Sequence, residues 1–436
     1  MGIRDLIMIL VGYGCVPLAL YDAYYGLLAY CWLSFMKPQS LVWSEFVQSA
    51  RITFAVAIAL IIRTLLSSGP KIRLHIATIA FLALWGWYGI STLTSIHRDL
   101  SIQPFIRFCK IGVAVLLITG LVRTREQLKW LVILLALCPG LWAAKLGVFF
   151  VRSGGGMSIH GGPMGMDNND TALFIAMSIP MLVFAAGTVK KKMGRWFLYA
   201  AATLAIPGVI LTGSRGGLLA MITALAITVW RKTKWWKAVI LGGVVSIAVL
   251  AIIPSKVKQR YETIKSYHKD PSAMARIWAW QTSLAMAADR PLTGVGFGQR
   301  AYMAAYNTYK VHEEDRPHVA HSVWFGALGQ TGYVGLGLYL ILILTVFWTT
   351  RRVRKISTDA NGNRFIWARN YAAMLECTLL TFIVGATFLS KVEFEYIYAI
   401  CMLSVPLWYI FIEESHKGSK SDDNLKYKET KAQARG

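Results

Sequence analysis

The chain holds three basic residues whose settings call for an anion or a proton acceptor. Arg215 lies in "LTGSRGGLLA" (211–220), inside an apolar stretch that runs from Trp196 to Trp230. A charge at membrane depth is costly and marks a functional site unless it belongs to a tight turn between two spans. Arg215 would cap the N-terminal end of a helix starting near Gly216, where a cation is unfavourable by roughly 0.3–1 kcal/mol. It also falls on the side where short loops normally lack arginine. A bound anion removes both conflicts, since a helix N-terminus flanked by glycines presents free N–H groups. The alternative is an arginine snorkelling to headgroup phosphates.

Arg276 lies in "DPSAMARIWAWQTSLAMAADRPLTGVGFG", which predicts a helix with Asp270 as N-cap and Pro271 at its first position. Met274, Ile277, Trp278, Gln281, Leu284 and Ala285 form its largely apolar stripe; Arg276 shares the other face with Trp280 and Ser283. Asp289-Arg290-Pro291 ends the helix, and Gly294, Gly296 and Gly298 make a re-entry turn. No strand precedes them, so a nucleotide fold is not indicated.

His321 opens "VAHSVWFGALGQTGYVGLGLYL". A boundary histidine can be general base, ligand or interface filler; its place behind a basic loop, on the face of Arg215, favours the base, with His318 as rival. In "MDNND" (166–170), Asp167 and Asp170 either orient a sugar hydroxyl or pair with an arginine, or simply cap the following helix. Arg107 and Lys110, inside the fifth apolar segment, either meet a lipid diphosphate or pair with an acid elsewhere. Arginines that stabilise a departing diphosphate and a histidine that deprotonates a hydroxyl suit transfer from a diphosphate-linked donor. "HEEDRPH" (312–318) has no metal-site spacing, no G-x-S-x-G is present, and no metal or cofactor is expected.

The elements that must position these residues are membrane helices. Of 436 residues, 56% are hydrophobic and 16% charged, with mean hydropathy +0.48; apolar blocks of near-membrane length recur throughout, so the fold class is an all-α polytopic membrane protein. Predicted spans are 5–20, 23–36, 49–66, 74–95, 103–121, 128–149, 170–188, 196–212, 216–230, 237–253, 321–349, 367–388 and 395–412, twelve or thirteen because the first two are short and could form one hairpin or a partly re-entrant element. The net charge of +24 arises largely from short basic runs: Arg123 to Lys129, Lys190 to Arg195, Arg231 to Lys237 and Arg351 to Lys355. These set orientation, cytoplasm-side, and do not call for nucleic acid. The glycine-rich stretch 152–170, the Gly213–Gly217 turn and the segment 254–320 then lie outside. The predicted organisation is helices over 1–253, an outer helical loop over 254–320, helices over 321–413 and a disordered cytoplasmic tail over 414–436. Cys15, Cys31, Cys109, Cys138, Cys377 and Cys401 all fall in apolar segments with no C-x-x-C, so they read as core residues. The first apolar segment lacks a basic leader and cleavage site and is expected to stay as a span.

Five stretches in order, "VPLALYDAYYGLLAYCWLSFMKPQSLVW", "MDNNDTAL", "LTGSRGGLLA", "ARIWAWQTSLAMAADRPLTGVGFG" and "AHSVWFGALGQTGYVGLGLYL", resemble the O-antigen ligase superfamily of bacterial membrane glycosyltransferases, in particular its exosortase-A-associated O-glycosylation ligase branch. The resemblance covers nearly the whole chain. It implies a metal-independent, GT-C-like inverting transferase in the inner membrane, active on the periplasmic side. Such an enzyme passes a glycan from undecaprenyl diphosphate to an acceptor, in the ligases lipid A–core of lipopolysaccharide. Carried over by motif, Arg215 and Arg276 would bind diphosphate and His321 would activate the acceptor hydroxyl. The family often has Asn after that histidine, where this chain has Ser322, and ligases are expected to have twelve spans. A polymerase of the same superfamily, a protein O-glycosyltransferase and, from another class, a lipid-linked sugar transporter are the rival readings. The transporter fits less well, because no internal repeat is evident and the unusual charges gather at the outer boundary beside one large loop.

Overall fold

The computed structural model describes residues 2–41, 50–69, 71–152, 166–232, 271–359, 365–389 and 391–416. Helices make up the described fold, with no strand among the described residues: α1 Ile3–Tyr21, α2 Ala23–Cys31, α3 Ile52–Leu66, α4 Ile76–Leu93, α5 Arg98–Leu121, α6 Arg125–Arg152, α7 Asn168–Ala186, α8 Lys192–Leu211, α9 Arg215–Lys232, α10 Pro271–Asp289, α11 Gln299–Tyr309, α12 Val323–Asp359, α13 Ile366–Ala386 and α14 from Glu395 to His416. Eight of them are long and apolar enough to cross a membrane: α1, α4, α5, α6, α7, α8, α12 and α14. The chain is a multi-pass membrane protein.

Five predicted spans depart from that pattern. The segment 23–36 is a nine-residue helix followed by a π-helical turn, Trp32–Met36, which ends at Lys37 in the left-handed region (φ 47°). The segment 49–66 shortens to Ile52–Leu66. The segments 216–230 and 367–388 form α9 and α13, apolar helices that carry or face the buried Glu376 described below. The segment 237–253 and most of the predicted tail fall outside the described residues.

α7 is the central helix, packed against α6, α8, α9 and α13. It is buried on every side from Asp170 to Leu182, as a helix apolar all round must be. α1 is the opposite case, with Ile3, Leu6, Ile7 and Leu10 all exposed at the periphery.

α12 breaks at Gly332 (φ 69°, ψ −173°). The carbonyls left over are taken up locally. Val295 and Gly296 N–H donate to the Gly329 and Gln330 carbonyls at 2.9 and 3.0 Å, and Trp87 Nε1 donates to the Thr331 carbonyl at 3.0 Å. The predicted glycine turn is thus the clamp on a helix kink. Between its glycines, Phe297 inserts and stacks on Tyr88 at 4.4 Å. At Gly296 (φ 130°) an added Cβ would meet Ser95 Oγ at 1.9 Å. Gly296→Ala should therefore lose roughly 2–3 kcal/mol from strain and overpacking, read as a lower melting temperature. An unchanged melting curve would refute the clamp.

Candidate active site

The "SRG" turn, the "MDNND" motif, α10 and the entry to α12 meet at one end of the bundle. Ser214 Oγ accepts from Gly217 N–H at 2.9 Å, capping α9, and bonds Asn169 Oδ1 at 2.6 Å. Asn168 Nδ2 donates to the Thr212 carbonyl at 3.3 Å. The glycines flanking Arg215 serve close packing: a Cβ on Gly216 would meet Phe388 Cβ at 2.4 Å, and one on Gly217 would meet Ala172 Cβ at 2.2 Å. Arg215 is the first residue of α9, half-buried, at the positive end of the helix as expected. Ser214→Ala should destabilise by about 1–2 kcal/mol through the lost cap. A lower melting temperature checks it.

His321 is half-buried and holds φ 47°, one of two non-glycine residues in the left-handed region among the described residues. Such strain persists only where the surroundings impose it, and here they do. Trp280 Nε1 donates to the Ala320 carbonyl at 3.0 Å, and its ring stacks on Phe325 at 4.9 Å; Trp324 Nε1 donates to Thr387 Oγ1 at 3.3 Å. Arg276 lies one turn before Trp280 on the same face. Burial pushes the His321 imidazole below its ordinary pKa; the nearby Arg276 guanidinium pushes the same way, Asp167 opposes, and His318 adds a smaller push down. The net displacement is downward.

His318 has a different part. Its Nε2 faces the Ala275 carbonyl at 2.6 Å and its Nδ1 the Arg316 carbonyl at 2.5 Å, with Asp315 Oδ1 at 3.5 Å. Nε2 ties the loop to α10, while Nδ1 faces groups of the loop itself. Two other polar side chains of "HEEDRPH" are engaged: Asp315 accepts from the Tyr306 hydroxyl at 2.5 Å, and His312 bonds Gln281 at 2.9 Å.

α10 packs by the face that carries Arg276. Its expected apolar stripe is not the buried face: Gln281 and Leu284 are exposed, whereas Ala279, Thr282, Ser283 and Met286 are fully buried. That small and polar face packs against α11 and α12, and the bulky stripe faces outward. That packing is what turns Arg276 toward His321.

Asp167 caps α7 by accepting from Asp170 N–H at 2.7 Å, so its capping role is realised while its charge also reaches His321. Asp170, 1% exposed, faces Lys391 Nζ at 3.7 Å, a lysine where an arginine was one of the expected partners. On the far side of the same motif lies a cavity of about 190 Å³ lined by Arg107, Met166, Arg300, Lys391, Glu393 and Glu395, among others. Arg107 therefore reaches the site region. Lys110 is exposed and does not line this cavity. The acids and bases of "KVEFE" (391–395) and Lys37 were not singled out from sequence; burial pushes Lys37 down in pKa, and Glu395 opposes. Their only signal was charge density at the mouth of the last span.

Residues 200–340 match the sequence family described as O-antigen ligase, and residues 3–188 match a family of unknown function, DUF5935. No curated protein matches. Among solved structures, a chain from "Structural coordination of polymerization and crosslinking by a peptidoglycan synthase complex" aligns with a TM-score of 0.43 at 16% identity, over 76% of this chain and 96% of that chain.

Proposed function

We propose, from the premise that this chain belongs to the O-antigen ligase superfamily through residues 200–340, that it is an inverting ligase-type glycosyltransferase. It moves a glycan from undecaprenyl diphosphate to a hydroxyl of an acceptor, lipid A–core, at the periplasmic face of the inner membrane. His321 takes the acceptor proton as its oxygen attacks the anomeric carbon. The bond from that carbon to the diphosphate breaks, and Arg276 with Arg215 stabilises the charge that leaves. Asp167 orients the imidazole electrostatically; Asp170, Arg107 and Lys391 form the adjoining polar wall for substrate.

The observation that carries this reading is the half-buried, left-handed His321 with Arg276 and Asp167 as its charged neighbours. The test is reconstitution of the purified chain with undecaprenyl-diphosphate glycan and lipid A–core, with chelator and no added metal, following product on a gel. Product supports the ligase. Chain extension with donor alone would instead assign a polymerase, and transfer to neither would reject the reading.

A further inference from the structure

The end of the bundle opposite His321 holds a second charged constellation. Arg231 at the end of α9, Arg351, Arg354 and Lys355 on α12, and Arg369 in the first turns of α13 line one cavity of about 610 Å³. Two of these arginines share the buried Glu376, 3% exposed, whose Oε2 accepts from Arg231 at 2.6 Å and Arg354 at 2.7 Å. One carboxylate thus serves two guanidiniums, and Arg231 Nε is buried with no hydrogen-bond partner among the described residues. The positive-inside rule accounts for basic loops, but it needs only a count of charges. It does not require five cations on three helices to share one cavity around a buried acid. Helix dipoles favour Arg231 at its C-terminal position and disfavour Arg369 near the positive end of α13.

The depth of the cavity is marked by exposed tryptophans. Trp130, Trp196, Trp230 and Trp348 are 52, 71, 61 and 43% exposed; the first three lie within about two turns of this end on their helices, and Trp348 lies about one turn before Arg351 on α12. Such a belt sits at headgroup level. Arg231 lies over the Trp230 ring and Arg352 over Trp348. We propose that this cavity binds the phosphate of an anionic membrane lipid, seated between α9, α12 and α13 and completing the coordination of the Arg231–Glu376–Arg354 group.

The experiment uses the full chain in detergent micelles titrated with phosphatidylglycerol or phosphatidylcholine, with retained lipid read by native mass spectrometry. The parent should retain phosphatidylglycerol preferentially. Arg351→Gln should lower retention about fivefold and the Arg351→Gln/Arg369→Gln pair about twentyfold, following the usual contribution of one basic residue to anionic-lipid binding. Neither change touches the buried triad, and the single variant alters an exposed side chain, so folding is preserved. Lys190→Gln/Lys191→Gln, at the same end but outside the cavity, should change retention less than about twofold. Equal losses from cavity and control variants, or equal retention of the two lipids, would overturn the proposal. Inorganic phosphate that raises the melting temperature only when the cavity is intact, with no lipid preference, would reassign the site to a soluble phosphate and overturn its lipid source.

Discussion

Replacing His321 by Asn should reduce glycan transfer by about 10²–10⁴-fold, the usual contribution of a positioned base, while leaving donor binding and the melting temperature close to those of the parent. Asparagine is the informative choice because position 321 holds φ 47°. It tolerates the left-handed region, whereas alanine adds about 1 kcal/mol of backbone strain to any chemical effect. His321→Ala should thus be as inactive and somewhat less stable. Measured initial rates with saturating donor, alongside donor binding to each variant, separate the two effects. An Asn variant that keeps more than a tenth of the parent rate would remove His321 from the proton transfer and leave it a structural corner of the α12 entry.

The membrane helices were legible because burial in lipid imposes a length and an apolar composition on each span, and eight of the predicted segments are helices of that kind. What misled was local. The segment 23–36 is apolar enough to span, yet it bends through a π-helical turn at Trp32–Met36, and hydropathy carries no information about a change of helix type. The break at Gly332 was equally hidden inside "GALGQTGYVGLGLYL". It is clamped by the glycine-rich turn before α11, whose Val295 and Gly296 N–H groups donate to the Gly329 and Gln330 carbonyls. Only the tertiary pairing distinguishes that glycine from its neighbours.

At the site, single residues were legible where they broke a local rule, as Arg215 does at a helix start. Their grouping was not. Arg276 lies opposite the stripe that looks like the core face of α10, and the face that packs is made of Ala279, Thr282, Ser283 and Met286. Hydropathy alone favours the other face, and only the tertiary contacts with α11 and α12 show which side packs. Lys391 escaped notice because its partner Asp170 is more than two hundred positions away, and no spacing rule links them.

The pair Arg276 and Asp167 yields the second large effect, with a signature that a structural role lacks. Arg276→Gln should lower transfer by about 10²–10³-fold if the guanidinium stabilises charge leaving with the diphosphate. The same change removes a positive neighbour that, together with burial, holds the His321 imidazole below its ordinary pKa. The folded-state pKa must then rise, so the acidic limb of the rate–pH profile, where the base becomes protonated, moves to higher pH. Asp167 acts in the opposite sense. Asp167→Asn still offers an oxygen to Asp170 N–H, so α7 remains capped, but the charge that raises the imidazole is gone. Its acidic limb should move to lower pH, with a smaller loss of rate. The two profiles, measured as kcat/KM against pH, report the free enzyme. Opposite displacements would identify His321 as the titrating base through both of its charged neighbours. Limbs that stay in place, or move together, would mean that another group sets the acid dependence.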